Sequence, residues 1–277
     1  MVAPGVLALA ATTTFPLLYL VWQSLQNINL AMPGMDRYVG LENYVRMWDD
    51  ARFWAALGFT IVYAASTVLL QLVLGLGMAL LILRIPRAQW AFRIAAILPI
   101  VIAPVVAGLF WRSLMLTPDF GVVDFASKAL GLGSHNWLGD PALARVSVIA
   151  IHTWQWTPFV FLYMLAALAA LPSELYEAAR IDRASAWRRF VHITLPLIRP
   201  AIVVVVILRM TVALSAFAAI YAATGGGPGT ATEILNLYAY RVSFAELSLG
   251  YGASAAVVLL AMTMAVAAVL FGLRRSS

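Results

Sequence analysis

The sequence predicts an all-α, polytopic membrane protein, a bundle of six transmembrane helices in a single domain over residues 1–277. Of the 277 residues, 63% are hydrophobic and 11% are charged, whereas an ordinary soluble domain carries about 25% charged residues. Six stretches are apolar over the roughly 20 residues that a helix needs to cross the hydrocarbon core. The absence of cysteine excludes disulfide frameworks, thiol catalysis and cysteine-ligated metal sites.

The six apolar stretches are expected to be membrane spans surrounded by lipid. Pro99 and Pro104 in the third stretch and Pro158 in the fourth predict kinks, whose freed carbonyl groups neighbouring helices can satisfy. The first stretch could alternatively be a cleaved signal peptide, but it lacks a basic start and its apolar run is long for one. The stretches cover residues of about 2–25, 53–83, 94–111, 146–171, 201–223 and 249–273.

The basic residues outside the spans fall into two sets, one on each side of the predicted bundle. The denser set is expected to be cytoplasmic, because short loops rich in Lys and Arg remain inside. Both termini are then expected to be cytoplasmic. This asymmetry accounts for the net charge of +6 without a nucleic-acid partner. The denser set is Arg84, Arg87, Arg93, Arg180, Arg183, Arg188, Arg189, Arg199, Arg274 and Arg275, and the sparser set is Arg37, Arg46, Arg52, Arg112, Lys128, Arg145 and Arg241.

The cytoplasmic loop over residues 172–200 begins with signals for a short helix. Pro172 blocks continuation of the fourth span, because it lacks an N–H group. Ser173 is a plausible N-cap, and Glu174 and Glu177 lie in the first turn, where the helix dipole favours anions. These residues predict a helix over about 173–181.

The second half of this loop predicts a turn and another short helix. Asp182 and Arg183 are typical of a turn, and Ser185 could cap a helix that runs toward His192. Pro196 and Pro200 would end that helix and start the fifth span. From composition alone, the loop could equally be a basic amphipathic connector that rests on lipid headgroups.

The spacing within this loop resembles the EAA loop of binding-protein-dependent ABC importer permeases. In that pattern Glu-Ala-Ala is followed after three residues by Gly, and nine residues later by Ile-x-Leu-Pro. Here Glu177, Ala178 and Ala179 are followed at the same spacing by Ile193-Thr-Leu-Pro196, whereas Arg183 occupies the glycine position. If that turn requires a positive φ, arginine costs on the order of 1 kcal/mol there.

Further segments extend the resemblance over about residues 16–273. Tyr38–Tyr44, Phe53–Leu57, Thr224–Glu233 and Tyr240–Phe244 are similar to segments of the carbohydrate-uptake branch, which includes maltose-type and glycerol-phosphate-type permeases. The resemblance implies a non-catalytic permease subunit that translocates a sugar or related polyol across the cytoplasmic (inner) membrane of a prokaryote.

The same resemblance implies the partners of the chain. They are a second permease subunit, two cytoplasmic ATPase subunits that use ATP and Mg, and an extracytoplasmic solute-binding protein. No cofactor is expected to bind the chain itself. The EAA helix would dock in a cleft of an ATPase subunit, with Glu177 as the first expected contact. The expected coupling residues are Glu174, Glu177, Ala178, Ala179, Asp182 and Arg183.

Enzyme motifs are absent from the sequence. The one lysine, Lys128, follows Ser127, so no Walker A loop can form, and Gly225–Gly229 is expected to be a turn. The three histidines form no HExxH motif, and there is no Gly-x-Ser-x-Gly elbow. An ion-coupled secondary transporter or a channel is the alternative, but it would require acidic residues within the spans, and none occurs there.

Polar and aromatic residues in the fourth span are candidates for the substrate pathway. His152, Gln155, Trp156 and Phe159 combine hydrogen-bonding groups with aromatic faces, which suits the hydroxyl edges and C–H patches of a sugar. The resemblance to maltose-type permeases also places substrate contacts on this helix. Alternatively, these residues form an interfacial aromatic belt near the outer end of the span.

The fifth span adds Arg209, Thr211 and Ser215, and Tyr221 is a further candidate for the pathway. Arg209 could engage an anionic substrate or an internal carboxylate, or it could extend its side chain toward the cytoplasmic side. We favour internal structural pairing of Arg209.

Overall fold

The computed structural model describes residues 3–85 and 89–275, which are mostly helical. Residue 2 of the first predicted span and Arg87 of the predicted cytoplasmic set lie outside the described residues. Two short strands, β1 (Gln26–Asn27) and β2 (Arg37–Tyr38), pair antiparallel. The helices are α1 (Ala3–Ser24), α2 (Glu42–Trp48), α3 (Ala51–Ile82), α4 (Gln89–Val101), α5 (Pro104–Phe110), α6 (Val122–Ala129), α7 (Pro141–Ala169), α8 (Ser173–Ile181), α9 (Ala186–Arg189), α10 (Leu195–Leu214), α11 (Ala218–Thr224), α12 (Leu235–Tyr240) and α13 (Leu249–Arg275).

The described residues contain three helical segments that are each long and apolar enough to cross a membrane. They are Ala51–Ile82, Ala186–Leu214 and Leu249–Gly272. Two bent helix pairs, one formed by α4 and α5 and the other by α7 and α8, raise the number to five if each pair is a single span. Helix α1 covers the first predicted span but is not among these five. The helical, polytopic character is therefore confirmed, whereas the number six stays a prediction.

The third predicted span is not a single straight helix. Its axis turns by 104° between Ile94–Val101 and Pro104–Met115. Pro104 occupies the first turn of α5, where a missing N–H group leaves no hydrogen bond unmade. The expected kink at Pro104 is thus a complete break, whereas α7 continues through Pro158 to its end.

The prediction that Pro196 and Pro200 end a second short helix is wrong, and the helix that contains the fifth predicted span begins well before residue 201. One continuous helix runs over Ala186–Leu214. A proline ring clashes with the carbonyl group one turn earlier in a regular α-helix. Here a π-helical turn over Phe190–Thr194 lies just before Pro196, and this wider turn accommodates the proline ring. The continuous helix ends at Leu214, and α11 follows after a break of three residues.

The centre of the bundle is the contact of α3 with α7, on which α10 also packs. Gly75 permits this close approach, because a Cβ atom there would lie 2.8 Å from the amide nitrogen of Phe161. Outward-facing residues of α3 such as Leu69 and Val73 are both 61% exposed, as expected for contact with lipid or partner subunits. The buried residues of this core are Ala79, Ile82, Val160, Phe161, Met164, Leu165, Leu168, Ile198 and Val205.

Candidate functional site

A cavity of about 250 Å³ lies at the middle of the bundle, between α3, α5, α7 and the break that follows α10. Four of the predicted pathway residues line it, namely His152, Gln155, Trp156 and Ser215. Helix α7 begins at Pro141, five residues before the predicted start of the fourth span. His152 to Phe159 therefore lie near the midpoint of a helix about 43 Å long, which does not fit the alternative of an interfacial aromatic belt.

Several polar atoms on the walls of this cavity lack hydrogen-bond partners. The hydroxyl of Tyr63, Nδ1 of His152 and Oε1 of Gln155 are buried, and none has a partner among the described residues. A buried polar atom left without a partner costs about 1–3 kcal/mol. The cavity has the liquid volume of about eight water molecules. The three atoms are closed to a water-sized probe, so water or a polar solute in the cavity reaches them only after a small shift of these side chains.

The break after α10 provides the end wall of the cavity. Ser215, Ala216 and Phe217 line it, and the carbonyl groups of Ser215 and Ala216 accept hydrogen bonds from Nδ2 of Asn236 at 3.1 and 3.5 Å. These contacts satisfy backbone groups that the interrupted helix leaves free. The side chain of Asn236 thus stabilises the non-helical backbone of Ser215 and Ala216 beside the cavity.

Arg209 is buried next to the cavity, with 2% of its surface exposed. Its Nε donates to Oε1 of Gln71 at 2.9 Å, and the guanidinium group lies 4.3 Å from the ring centre of Trp156 and 5.8 Å from that of Phe159. In the part of the chain that the structure describes, no carboxylate pairs with it. The favoured internal pairing is thus observed, with an amide and two aromatic rings, whereas extension toward the cytoplasmic side is not.

The remaining pathway candidates do not line the central cavity. Thr211 is exposed, and its hydroxyl bonds the carbonyl group of Ile207 at 3.0 Å. The ring of Phe159 faces the guanidinium group of Arg209 and stacks on Tyr163. Tyr221 lies in a separate pocket of about 520 Å³, which is called the outer pocket here. The outer pocket is lined by Arg112, Tyr221, Thr224, Gly225, Tyr240, Arg241, Phe244 and Ala245.

Two residues beside the cavity were missed by the sequence analysis. Tyr63 lines the cavity, and Gln71 holds Arg209 and also donates from Nε2 to the carbonyl group of His152 at 3.3 Å. A carboxamide within an apolar span is a signal that could have identified Gln71, since polar groups there are expensive. Nothing local in the sequence distinguishes Tyr63 from other aromatic residues.

Ion pairs join the loop after α11 to α3. The sequence alone did not predict them, because the paired residues are far apart along the chain. The carboxylate of Glu233, whose side chain is 1% exposed, accepts hydrogen bonds from Arg52 at 2.7 and 2.8 Å and from Arg241 at 2.9 Å. Arg241 also donates to the carbonyl group of Gly225. Gly225 has a φ of 59°, which confirms the predicted turn at this glycine-rich segment.

The predicted coupling loop lies at the other end of α7. Arg145 near the start of α7 donates to the carbonyl group of Ala231 at 2.9 Å, whereas α8 follows the end of α7 after a bend of 69°. Helix α8 covers Ser173–Ile181 as predicted, but Pro172 rather than Ser173 occupies the N-cap position. The loop after α11 and the predicted coupling loop therefore lie at opposite ends of α7.

The turn after α8 has a left-handed backbone conformation at Arg183, which is unusual for a residue other than glycine. Arg183 has a φ of 53°, in the left-handed region that favours glycine. The predicted cap is present next to it, since Oγ of Ser185 accepts from the amide of Arg188 at 3.2 Å. The hydroxyl of Tyr176 lies 2.9 Å from Oγ1 of Thr194, which joins α8 to the long helix that follows.

The predicted coupling residues divide between the two faces of α8 and its turn. Glu174, Glu177, Ala178, Asp182 and Arg183 are exposed, whereas Ala179 is buried. Ile181, which the sequence analysis did not select, is 83% exposed. The exposed surface of α8 thus combines acidic side chains with apolar ones, since Leu175 is also exposed, at 42%.

Comparison with known proteins relates the chain to membrane components of transport systems. The family model described as "binding-protein-dependent transport system inner membrane component" matches residues 71–275. The sulfoquinovosyl glycerol transport system permease of Agrobacterium fabrum is 36% identical over 97% of this chain and 87% of its own length. The trehalose/maltose transport system permease of Thermococcus litoralis is 34% identical over 87% of this chain and 81% of its own.

A third relative and a solved structure extend these similarities. The trehalose transport system permease of Mycobacterium tuberculosis is 35% identical over 94% of this chain and 82% of its own. A crystal structure of a bacterial ABC transporter that imports the polysaccharide alginate superposes with a TM-score of 0.84. The superposition covers all of this chain and 94% of the matched chain, at 23% sequence identity. The two chains therefore share the same fold.

Proposed function

This chain belongs to the family of binding-protein-dependent transport system inner membrane components, and we propose that it imports a sugar or related polyol as a permease subunit of an ATP-driven ABC importer. The relatives named above are sugar transport permeases by name. The proposed location is the cytoplasmic membrane.

The observation that carries the proposal is the central cavity. It combines the unpaired polar atoms of Tyr63, His152 and Gln155 with the aromatic side chains of Trp156 and Phe217. Hydroxyl groups of a sugar can satisfy such polar atoms, and its C–H faces can pack on the rings. A position near the midpoint of α7 is expected for a solute that passes through the bilayer.

Six crossings are proposed for the assembled protein. They are α1, α3, the bent pair of α4 and α5, α7, the continuous helix Ala186–Leu214, and α13. With α8 on the cytoplasmic side, six crossings place both termini inside and the Gly225 turn outside. The denser set of arginines then faces the cytoplasm.

The proposed partners are a second permease subunit, two ATPase subunits and an extracytoplasmic solute-binding protein. ATP and Mg are used by the ATPase subunits, and this chain is a non-catalytic subunit. Glu174, Glu177 and Asp182 would pair with basic residues of an ATPase subunit, and Ile181 would supply the buried apolar contact of that interface. The anchor of Tyr176 on Thr194 lets α8 move together with the long helix.

The coupling role is tested in the complete importer reconstituted in vesicles with its binding protein. Glu177→Lys should strongly reduce both sugar uptake and the ATPase activity that the loaded binding protein stimulates, while the assembled complex is retained. Glu42→Lys is the matched control, because Glu42 is exposed at the end of the bundle away from α8. Normal coupling in the Glu177→Lys complex would refute docking through this residue.

The proposed class of protein is tested by uptake assays on the same vesicles. Trehalose, maltose, sulfoquinovosyl glycerol and glycerol 3-phosphate form the substrate panel, and uptake of at least one sugar should require ATP and all subunits. The alternative, an ion-coupled secondary transporter or a channel, predicts uptake by this chain alone. Accumulation by the lone chain without nucleotide would therefore overturn the proposal.

A further inference from the structure

The outer pocket is bounded by aromatic rings and by two guanidinium groups. Tyr221, Tyr240 and Phe244 are 48%, 39% and 58% exposed. Arg112 is exposed, and its side chain forms no ion pair with a described residue. Arg241 is held in place by Glu233 and by the carbonyl group of Gly225. The pocket thus offers ring faces together with one free and one fixed guanidinium group.

A continuous series of rings connects the outer pocket to the central cavity. Phe217 lines the cavity, and Tyr221 stacks on it one helical turn later, with ring centres 5.4 Å apart and planes at 11°. Tyr240 contacts both Phe217 and Tyr221, at 5.2 and 5.8 Å. Phe244 lies 5.4 Å from Tyr240 at the far side of the pocket. These four residues are called the ring series below.

We propose that the outer pocket is a saccharide-binding subsite, from which the sugar moves along the ring series into the central cavity. This inference rests on the proposed sugar-import function. A pyranose has C–H patches that pack on the rings of Tyr221 and Tyr240, and hydroxyl groups that accept hydrogen bonds from Arg112. The side chains of Tyr221 and Tyr240 are exposed in the pocket, so their hydroxyls would be accessible to the sugar.

A stepwise path of this kind suits transport. Ring faces bind a sugar without demanding one orientation, so a sugar can slide between adjacent rings with part of its contact preserved. The central cavity differs, since the polar groups of Tyr63, His152 and Gln155 beside it would fix the positions of the hydroxyl groups once the side chains shift to expose them. The outer subsite would therefore bind sugars with less selectivity than the cavity.

The absence of cysteine from the sequence allows a direct test in the reconstituted importer. Ala245→Cys places one thiol on this chain at the exposed edge of the outer pocket. Its reaction with a maleimide is followed by mass spectrometry of this chain, without ATP and binding protein, while a transported sugar of the panel is titrated. Ala142→Cys, exposed at the start of α7 and away from the outer pocket, reports any general change in reactivity.

The sugar should slow the modification of Ala245→Cys in a saturable manner and leave Ala142→Cys unaffected. Adding Tyr240→Leu, which removes both the ring and its hydroxyl, should raise the half-protecting sugar concentration by about tenfold. Tyr240→Phe keeps the ring and should keep most of the protection. The comparison of these two variants separates ring stacking from the contact of the hydroxyl, and retained sugar uptake by both variants excludes a general loss of structure.

Three outcomes would overturn the subsite. One is a sugar that is transported but gives no protection of Ala245→Cys, and another is protection that Tyr240→Leu leaves unchanged. The third is a thiol that reacts in the isolated chain but not in the assembled importer, which would show that the second permease covers the pocket. In each case sugar uptake persists, so the failure differs from a failure of the proposed function, in which no sugar of the panel is taken up.

Discussion

The side chains of Arg209 and Gln71 meet inside the bundle, where Nε of Arg209 donates to Oε1 of Gln71 at 2.9 Å. The amide of Gln71 also donates to the carbonyl group of His152, so a single side chain connects α10, α3 and α7. One guanidinium nitrogen of Arg209, Nη2, has no partner among the described residues. Gln71 therefore supplies the principal hydrogen bond to a buried cation beside the central cavity.

Removal of this acceptor should destabilise the protein. Gln71→Leu leaves Nε of Arg209 buried without a partner, which costs about 1–3 kcal/mol. We expect a lower midpoint of thermal unfolding for the complex in detergent. The double variant with Arg209→Met should regain much of the loss, because both polar groups are then absent. Additive losses in the double variant would show that the two side chains are not coupled.

Close packing of α3 on α7 should make Gly75 sensitive to a single methyl group. In Gly75→Ala the new Cβ would lie 2.8 Å from the amide nitrogen of Phe161, so one helix must shift, at a cost of about 1–3 kcal/mol. Gly77→Ala is the control, because no atom lies within 4 Å of its Cβ, and it should stabilise α3 by about 0.5–1 kcal/mol. Thermal unfolding of both variants measures the difference, and equal effects would contradict the packing argument.

A glycine in place of Arg183 should stabilise the turn after α8. Arg183 has a φ of 53°, so Arg183→Gly should relieve a strain on the order of 1 kcal/mol. Arg188→Gly is the matched control, since Arg188 lies in a right-handed helix, and it should destabilise by about 1 kcal/mol. Protection of residues 173–194 against hydrogen exchange should rise in the first variant and fall in the second. A fall in both would show that the Arg183 side chain stabilises the turn.

Asp124 should stabilise the segment between α5 and α7 in a pH-dependent manner. The backbone amide of His135 lowers the pKa of this buried carboxyl group most strongly, burial opposes the shift, and the Ser134 hydroxyl, the Asp119 amide and Trp137 Nε1 lower it further. The unfolded pKa is about 3.9. The stabilisation is therefore complete above about pH 5 and declines as the pH falls toward the folded pKa.

Hydrogen exchange of residues 117–139, corrected for the intrinsic effect of pH, measures this dependence. Protection should stay constant from about pH 8 to pH 5 and decrease below about pH 4. Asp124→Asn should reduce protection at neutral pH and flatten the acid limb. Asp119→Asn is the control with a smaller effect, because its ion pair with Lys128 is largely exposed. An unchanged acid limb in Asp124→Asn would assign the dependence to other groups.

Local features of the sequence were sufficient for the fold class and for much of the coupling loop. The lengths of the apolar runs predicted α3 and α13 to within about two residues at each end. Likewise, the residues after Pro172 predicted α8, the turn at Arg183 and the Ser185 cap. These features depend on the composition of about 20 residues or on the hydrogen bonds of neighbouring residues, so the sequence by itself determines them.

Features that depend on distant residues were decided by the tertiary structure. The sequence could not show that Tyr63 shares a cavity with His152, that Gln71 is the partner of Arg209, or that a π-helical turn carries the chain past Pro196. Each depends on how a helix is rotated and how closely its neighbours approach. The hydrophobicity of a segment determines whether it can enter a membrane, but in lipid the choice of neighbours follows from side-chain packing, which is a property of the assembled bundle.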